Sequence, residues 1–151
     1  MPDIQYAFLS DAAEARPGQK FYVIGGGIDR IGGPTFPLQH PHLSLVIGLS
    51  MTTVELNREH EIRFVLLDSG NRELTSGTAN ITAQGGLDAR DSVITFAVDL
   101  WNLTFALPGD YSFRLLVDGS ERQRLPLNVS VLGAPEAPPA TLPSGERHFD
   151  A

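Results

Sequence analysis

The sequence predicts an all-β protein, an immunoglobulin-like antiparallel β-sandwich of seven to eight strands with Greek-key-like connections. Apolar and polar residues alternate with a period of two along most of the chain, which is typical of strands with one buried face. Turns rich in glycine, proline and aspartate separate these segments at short intervals. Two sheets, each burying one apolar face against the other, satisfy this pattern.

The predicted strands differ in how clearly the alternation marks them. In "SVITFAVDLW" the even-numbered residues from Ile94 to Leu100 are apolar, whereas Thr95 and Asp99 belong to the opposite face. The first two strands and the one around Thr78 are weaker. In chain order the predicted strands are Ile4–Leu9, Lys20–Ile24, "HLSLVIGLSMT" (42–52), "EIRFVLLD" (61–68), Thr78–Ala83, "SVITFAVDLW" (92–101), "DYSFRLLVDG" (110–119) and "RLPLNVSV" (124–131).

The connections carry their own signals. Asp118-Gly119 lies between two alternating segments and predicts a tight hairpin. Pro126 cannot donate a ladder hydrogen bond, so its strand should lie at an edge or pair on one side only there. The turn before Tyr111 should place its ring in the core and its hydroxyl against the corner. Segment 51–61, "MTTVELNREHE", is the one helix-like window, and a connection without a helical turn is the favoured interpretation.

Composition predicts one domain and a cytoplasmic location. The chain has 151 residues, of which 42% are hydrophobic and 19% charged, as expected of a globular domain with a real core. We expect the sandwich to span residues 1–132, followed by a Pro/Ala-rich extended or disordered tail at 133–151. Cysteine is absent, which excludes disulfides and thiol chemistry and favours a reducing compartment. The first residues lack the features of a signal peptide.

Charge argues against nucleic acids and membranes as partners. The net charge is −7, and the only cluster of basic residues, Arg114, Arg122 and Arg124, is interspersed with acidic side chains. No segment has the 18 or more apolar residues of a membrane span.

The glycine-rich stretch "YVIGGGIDRIGGP" (22–34) raises the question of a phosphate site. A dinucleotide fingerprint needs a third glycine where Arg30 stands and a helix after it, but the following prolines exclude a helix. The stretch therefore predicts a strand that bends or bulges at Gly25–Gly27. Asp29 and Arg30 follow on a glycine-bounded loop, where they should bond to each other, and they are the first pair of candidate contact residues.

Catalytic and metal-binding patterns are weak. His40 and His42 flank Pro41, which predicts an extended loop with exposed histidines rather than a metal site. Gly-x-Ser-x-Gly is absent. We therefore expect no enzyme, no cofactor and no metal.

Asp99 and Trp101 form the second pair of candidate contact residues. They interrupt an apolar strand and should share its solvent face, which makes a plausible contact patch, although an ordinary outer sheet face is the alternative. The leading hypothesis is a non-enzymatic module that binds protein, either itself or another chain, by an edge or a face. The other is a small-ligand or carbohydrate binder that uses Trp101 and Asp99.

Several of these segments together resemble a known family. The stretch "YVIGGGIDRI", then "LSLVIGLSM", "HEIRFVLLDSGNREL" and "LPGDYSFRLLVDG", is similar to a bacterial family catalogued only as a domain of unknown function. Its marks are Gly-Gly-Gly-x-Asp after the second strand, which is 25–29 here, Pro-Gly-x-Tyr before an alternating strand, and a following Asp-Gly turn. The resemblance covers about residues 4–131. It implies a small immunoglobulin-like sandwich in the cytoplasm and no assigned activity.

Overall fold

The computed structural model describes residues 1–16, 19–85 and 91–132, and these build a two-sheet β-sandwich. The predicted all-β fold is confirmed, with nine strands in place of the expected seven to eight. The tail expected at 133–151 lies outside the described residues. The strands are β1 (Asp3–Glu14), β2 (Tyr22–Gly26), β3 (Arg30–Gly33), β4 (Leu38–Met51), β5 (Glu59–Leu67), β6 (Glu73–Thr82), β7 (Ser92–Phe105), β8 (Gly109–Val117) and β9 (Ser120–Val131).

The strands divide into a four-stranded sheet, here sheet A, and a five-stranded sheet, here sheet B. Sheet A has the order β2-β1-β4-β7 and sheet B the order β3-β9-β8-β5-β6. All pairings are antiparallel except that of β3 with β9, which is parallel. The terminal strands are therefore β2 and β7 in sheet A, and β3 and β6 in sheet B.

The core lies between the sheets and follows the alternation read from the sequence. On β4 the odd-numbered residues from Leu43 to Met51 are buried, and on β8 the odd-numbered residues from Tyr111 to Val117 are buried. These residues belong to one contiguous cluster that also takes in Phe105 and Leu127. Burial of this apolar surface is the main term that stabilises the sandwich.

The local signals for turns are confirmed. Asp118 and Gly119 both have positive φ, 48° and 82°, as the two central residues of a type I′ hairpin turn require. The Tyr111 hydroxyl donates a 2.6 Å hydrogen bond to the Leu107 carbonyl, so the ring enters the core while its polar end holds the corner. Pro126 pairs with Ser112 of β8, whereas β3 pairs with β9 only from Asn128 onward. The proline therefore pairs on one side only, as expected.

The segment after β4 is a turn rather than a helix. Residues 53–57 are in turns, and Glu55 closes the first of them by accepting hydrogen bonds from the Thr52 backbone N–H and hydroxyl at 2.8 and 2.9 Å. Asn57 has φ 60°, which interrupts any helical run. The chain then enters β5 in sheet B.

The outer face of sheet A is partly covered by aromatic residues. Tyr6 lies across Gly48, where a Cβ atom would collide with the ring, and its hydroxyl is hydrogen-bonded to the Thr95 hydroxyl. Tyr6 also stacks with Phe8 and Phe21, at centroid distances of 6.4 and 6.0 Å. Sheet A thus carries apolar side chains on both faces. Many antiparallel sheets instead have one apolar face and one polar face in contact with water.

Candidate functional site

The candidate site lies on the outer face of sheet A, where β4 and β7 run side by side. The strand register places His42 opposite Trp101 and Ser44 opposite Asp99. Asp11 of β1 contributes its backbone carbonyl. We call Asp11, His42, Ser44, Asp99 and Trp101 the Trp101 cluster.

Hydrogen bonds fix the polar part of the Trp101 cluster. His42 Nδ1 lies 2.7 Å from the Asp11 carbonyl oxygen, and His42 Nε2 lies 2.9 Å from Asp99 Oδ1. Ser44 Oγ donates to the same Asp99 oxygen at 3.0 Å. Both partners of the imidazole are acceptors, so each nitrogen bonds only when it carries a proton. The result is a histidine ring held from two strands.

This ring in turn supports Trp101. The His42 and Trp101 ring centroids are 4.2 Å apart, with a tilt of 38°. The tryptophan is nevertheless 67% exposed, and Val93, on the same face of β7, is 43% exposed. The sequence-based placement of Asp99 and Trp101 on one solvent face is thus what the structure shows. A large apolar side chain that is both exposed and held in position is the main feature of the site.

The Trp101 cluster contains serine, histidine and aspartate but not in the arrangement of a catalytic triad. In a triad one histidine nitrogen accepts the serine proton while the carboxylate binds the other nitrogen. Here Ser44 donates to Asp99 instead, and both nitrogens of His42 already face oxygen acceptors. The imidazole therefore has no nitrogen directed at Ser44, and the geometry gives the hydroxyl no base.

The first pair of candidate residues lies elsewhere. Arg30 opens β3 at the edge of sheet B, and Asp29 precedes it, so the expectation of a loop at Arg30 is wrong. The Asp29 carbonyl accepts the Asn128 N–H at 2.8 Å, which starts the parallel pairing of β3 with β9. Both side chains are exposed, and no ion pair joins them among the described residues. The first pair thus lies on sheet B, whereas Asp99 and Trp101 lie on sheet A.

The triple glycine ends β2 and turns the chain from sheet A to sheet B. Gly25 and Gly27 have φ 64° and 82°, and the N–H groups of Gly27 and Ile28 both donate to the Leu9 carbonyl at 2.9 Å. The Asp11 side chain occupies the space that a Cβ atom at Gly25 would need. The predicted bend is confirmed, and its glycines serve backbone geometry and close approach.

The sequence-based interpretation of His40 and His42 as loop residues is wrong. Both lie within β4, where His40 is opposite Leu103 and His42 is opposite Trp101. The register of β4 with β7 skips Pro41 and Asn102, which has φ 52°, and pairing resumes at His42 and Trp101. The missed partner of His42 is Asp99, 57 residues away, and only the register of β4 with β7 reveals it. Within ranges 1–16, 19–85 and 91–132, no group of three metal-binding side chains occurs.

A second histidine cluster, which the sequence did not reveal, lies at one end of sheet B. His60 Nδ1 lies 2.9 Å from Asp118 Oδ2, and its Nε2 lies 2.8 Å from the Glu55 carbonyl oxygen. Asp118 Oδ1 accepts the Glu61 N–H at 2.9 Å. His60 is only 6% exposed. We call His60, Asp118 and the Glu55 carbonyl the His60 cluster.

Electrostatics of the His60 cluster favour an ion pair between His60 and Asp118. Burial lowers the pKa of His60, but the hydrogen bonds to Asp118 and to the Glu55 carbonyl outweigh it and raise the pKa above the ordinary 6.5. The hydrogen bond from His60 lowers the pKa of Asp118 below the ordinary 3.8. Burial also opposes ionisation of Glu55, yet its hydrogen bonds with the Met1 ammonium, 2.5 Å away, and with Thr52 bring its pKa to about 2. Asp118 and Glu55 are therefore charged near neutral pH, and His60 keeps its proton to a higher pH than a free imidazole does.

The basic cluster seen in the sequence is partly neutralised by one carboxylate. Arg114 and Arg124 both contact Glu121, at 2.8 and 2.5 Å. Hydrogen bonds from Arg124 and Arg114 lower the pKa of Glu121 to about 2. Two of the three arginines thus share one carboxylate on the exposed face of the β8–β9 hairpin.

These features define a class of protein, an all-β sandwich-like domain with an exposed aromatic site on one sheet. Residues 5–130 match the family described as "Family of unknown function (DUF6941)", and the chain belongs to that family. The match confirms the resemblance to a family without an assigned function. No curated protein matches the sequence.

Two solved structures are similar in part. The alkylpurine DNA glycosylase AlkC of Pseudomonas fluorescens, bound to DNA with an abasic site analogue, matches 85% of this chain at 10% identity and a TM-score of 0.47. This chain spans only 30% of the glycosylase chain. A CARDB domain from Pyrococcus furiosus, solved with di-metal ions, matches 84% of this chain and 91% of its own at 12% identity and a TM-score of 0.38. Both scores are below 0.5, so neither likeness carries a functional argument.

None of the segments that the structure describes forms a helix long and apolar enough to cross a bilayer.

Proposed function

We propose that the protein is a non-enzymatic β-sandwich module of the cytoplasm that binds another polypeptide through the β7 side of sheet A. One observation carries this proposal: β7 presents Trp101 at 67% exposure on a strand whose only charged side chain is Asp99. Tryptophan is enriched among the residues that dominate binding energy at interfaces. Depletion of charge around such a residue is typical of the centre of an interface.

The support beneath Trp101 strengthens the proposal. His42 packs against the indole, and its two ring nitrogens lie within hydrogen-bond distance of oxygen atoms on β1 and β7. An anchor side chain that is already ordered loses less conformational entropy when a partner binds. The Trp101 cluster therefore lowers one of the costs of association.

The proposal of a non-enzymatic role rests on hydrogen-bond geometry. Ser44 has Asp99 as its partner, and the ring of His42 has no nitrogen directed at a nucleophile. General base catalysis needs a base within hydrogen-bond reach of the proton that it removes. The polar residues of the cluster instead support an aromatic surface.

A capture experiment with two exposed apolar residues tests the proposed function. The tagged full chain serves as bait, and the Trp101→Ala variant is compared with Leu107→Ala, which removes a similarly exposed side chain, 70% against 67%, from the turn between β7 and β8. We expect a specific partner, or untagged copies of the chain, to be retained by Leu107→Ala and lost by Trp101→Ala. Equal retention by both variants contradicts the proposed site.

A small-ligand or carbohydrate site is the second candidate, and the exposed indole beside a carboxylate favours it. Trp101 could stack on the apolar face of a sugar while Asp99, whose side chain is 51% exposed, accepts hydrogen bonds from hydroxyls. A ligand at 100 times its dissociation constant stabilises the native state by about 2.7 kcal/mol. Thermal-shift screening against glycans and metabolites should then raise Tm for the wild type but not for Trp101→Ala. A panel without any shift contradicts this candidate.

A further inference from the structure

The outer edge of β7 is the longest sheet edge that the structure describes, and it alone carries an exposed tryptophan. Among the described residues, no strand pairs with this edge. An unpaired edge offers a row of backbone donors and acceptors to another strand, and proteins usually protect it by short length, charges, prolines or bulges. The edge strands β2, β3 and β6 have 5, 4 and 10 residues, whereas β7 has 14, with one charged residue and no proline. β7 is therefore open to strand addition.

The inward face of β7 is also incompletely covered. Ile94, Phe96 and Val98 point toward the core but are only half-buried, whereas Ile47 on the neighbouring β4 is 1% exposed. Phe96 and Val98 line a cleft of about 110 Å³ whose other side is Phe64 and segment 77–79 of β6. A strand added beside β7 would extend sheet A over this apolar cleft.

We propose that the added strand is β7 of a second copy of the chain, paired antiparallel about a two-fold axis at Ala97. The proposal rests on the proposed function and identifies the partner. Residues directly opposite in an antiparallel pair lie on the same face of the sheet. An axis at Ala97 places Trp101 opposite Val93 on the outer face, and Phe96 opposite Val98 on the inner face. Trp101, the most exposed apolar residue of β7, thus contacts Val93 of the other copy, which is also exposed in the single chain.

Neighbouring registers match less well. An axis at Phe96 places Asp99 opposite Val93, an axis at Val98 places Trp101 opposite Thr95, and an axis at Asp99 places two carboxylates face to face. An axis at Thr95 puts Asp99 opposite Asp91. Like charges directly opposite destabilise a strand pair.

The Ala97 register also keeps apart the two Asp99 carboxylates, the only charged side chains on β7. Asp99 then faces the hydroxyl of Thr95, and the two Asp99 residues lie four positions apart, about 13 Å along the strands. This separation exceeds the Debye length of about 8 Å at physiological ionic strength, so their repulsion is largely screened. The interface is isologous, as closed two-fold dimers require.

The absence of cysteine makes a crosslinking test clean. In full-length Ala97→Cys the two thiols would lie directly opposite each other, with Cα atoms about 4.5–5.5 Å apart, within the range for a disulfide. Val93→Cys is the matched control, because it lies on the same face of the same strand. Its counterpart in the dimer would be eight positions away, about 26 Å. We expect mild oxidation to give a covalent dimer with Ala97→Cys and none with Val93→Cys.

The solution mass of the wild-type chain gives a second readout that does not depend on a variant. Sedimentation equilibrium should give twice the chain mass of 16.3 kDa at micromolar concentration. A monomer mass overturns the proposed self-pairing, and so does equal crosslinking of both cysteine variants. Either result leaves the proposed function open, because partner capture with Trp101→Ala tests that function separately. Failure of self-pairing can therefore be distinguished from failure of the proposed function. An extended segment of another protein, or of this chain itself, on the β7 edge would appear as a monomer in this test.

Discussion

The two histidine clusters use the same contacts in opposite surroundings. His42 and His60 each bind one carboxylate and one backbone carbonyl, at distances between 2.7 and 2.9 Å. The side chain of His60 is 8% exposed, whereas that of His42 is 20% exposed and its carboxylate partner is 51% exposed. The same chemistry therefore stabilises the fold in the His60 cluster and supports an exposed tryptophan in the Trp101 cluster.

The largest expected effect is on the buried side of this comparison. His60→Ala leaves Asp118 and the Glu55 carbonyl without their partner, and hydrogen bonds to charged, poorly solvated groups are worth more than neutral ones. We expect the free energy of unfolding to fall by about 2–4 kcal/mol, which the urea midpoint measures. His42→Ala is the matched control, with an expected loss of less than about 1 kcal/mol. Equal losses of unfolding free energy in the two variants would show that the buried cluster does not stabilise the fold more than the exposed one.

A pH series sharpens the same contrast. Because the folded-state pKa of His60 lies above 6.5, its contribution is fully present below that pH and is lost as pH rises through the folded value. Asp118, with a pKa below 3.8, contributes above that pH and loses its effect as pH falls toward the folded value. The pair is therefore most stabilising between these limits.

Urea unfolding measures this dependence. We expect the free energy of unfolding of the wild type to decrease as pH rises from the ordinary histidine value of 6.5 through the folded-state pKa of His60, and this decrease to shrink in His60→Ala. The His42→Ala variant should keep it. The assignment to His60 fails if the His60→Ala profile parallels that of the wild type.

The hydrogen bond of the Tyr111 hydroxyl is a neutral contact with which the stabilisation by the charged His60 cluster can be compared. Tyr111→Phe removes one hydroxyl that donates to the Leu107 carbonyl at 2.6 Å and leaves the ring in place. We expect a loss of about 0.5–1.5 kcal/mol, below that of His60→Ala. An unchanged denaturant midpoint would show that the corner hydrogen bond adds nothing net.

The smallest stability effect is expected at the most exposed residue. Trp101→Ala should change the free energy of unfolding of the isolated subunit by no more than about 0.5 kcal/mol, since surface changes away from buried contacts are usually of this size. Measurement at low protein concentration separates this effect from association. A loss above about 2 kcal/mol would indicate that Trp101 is a structural residue.

Local signals made the strands and hairpins predictable, whereas long-range register decided the site. Asp118-Gly119 and Tyr111 act within a few residues, so their roles follow from the sequence. The strand β3 has four residues and exists because Asn128 of β9 pairs with Asp29 and Arg30.

The clusters depend on partners distant in the chain. His42 and Asp99 are 57 residues apart, and His60 and Asp118 are 58 apart. No local pattern links them, and Pro41 suggested a loop where β4 continues. The sequence did place Asp99 and Trp101 together, because alternation within one strand is a local property.

Hydrogen exchange of β7 tests the proposed contact surface most directly. Amides of β7 and of β6, the other long edge strand, are followed in the wild-type chain at low and at high concentration. If β7 is the surface through which copies associate, its exchange slows as concentration rises, while that of β6 and of the His60 cluster does not change. Exchange of β7 that is independent of concentration, over a range in which the solution mass also stays constant, contradicts association through this edge.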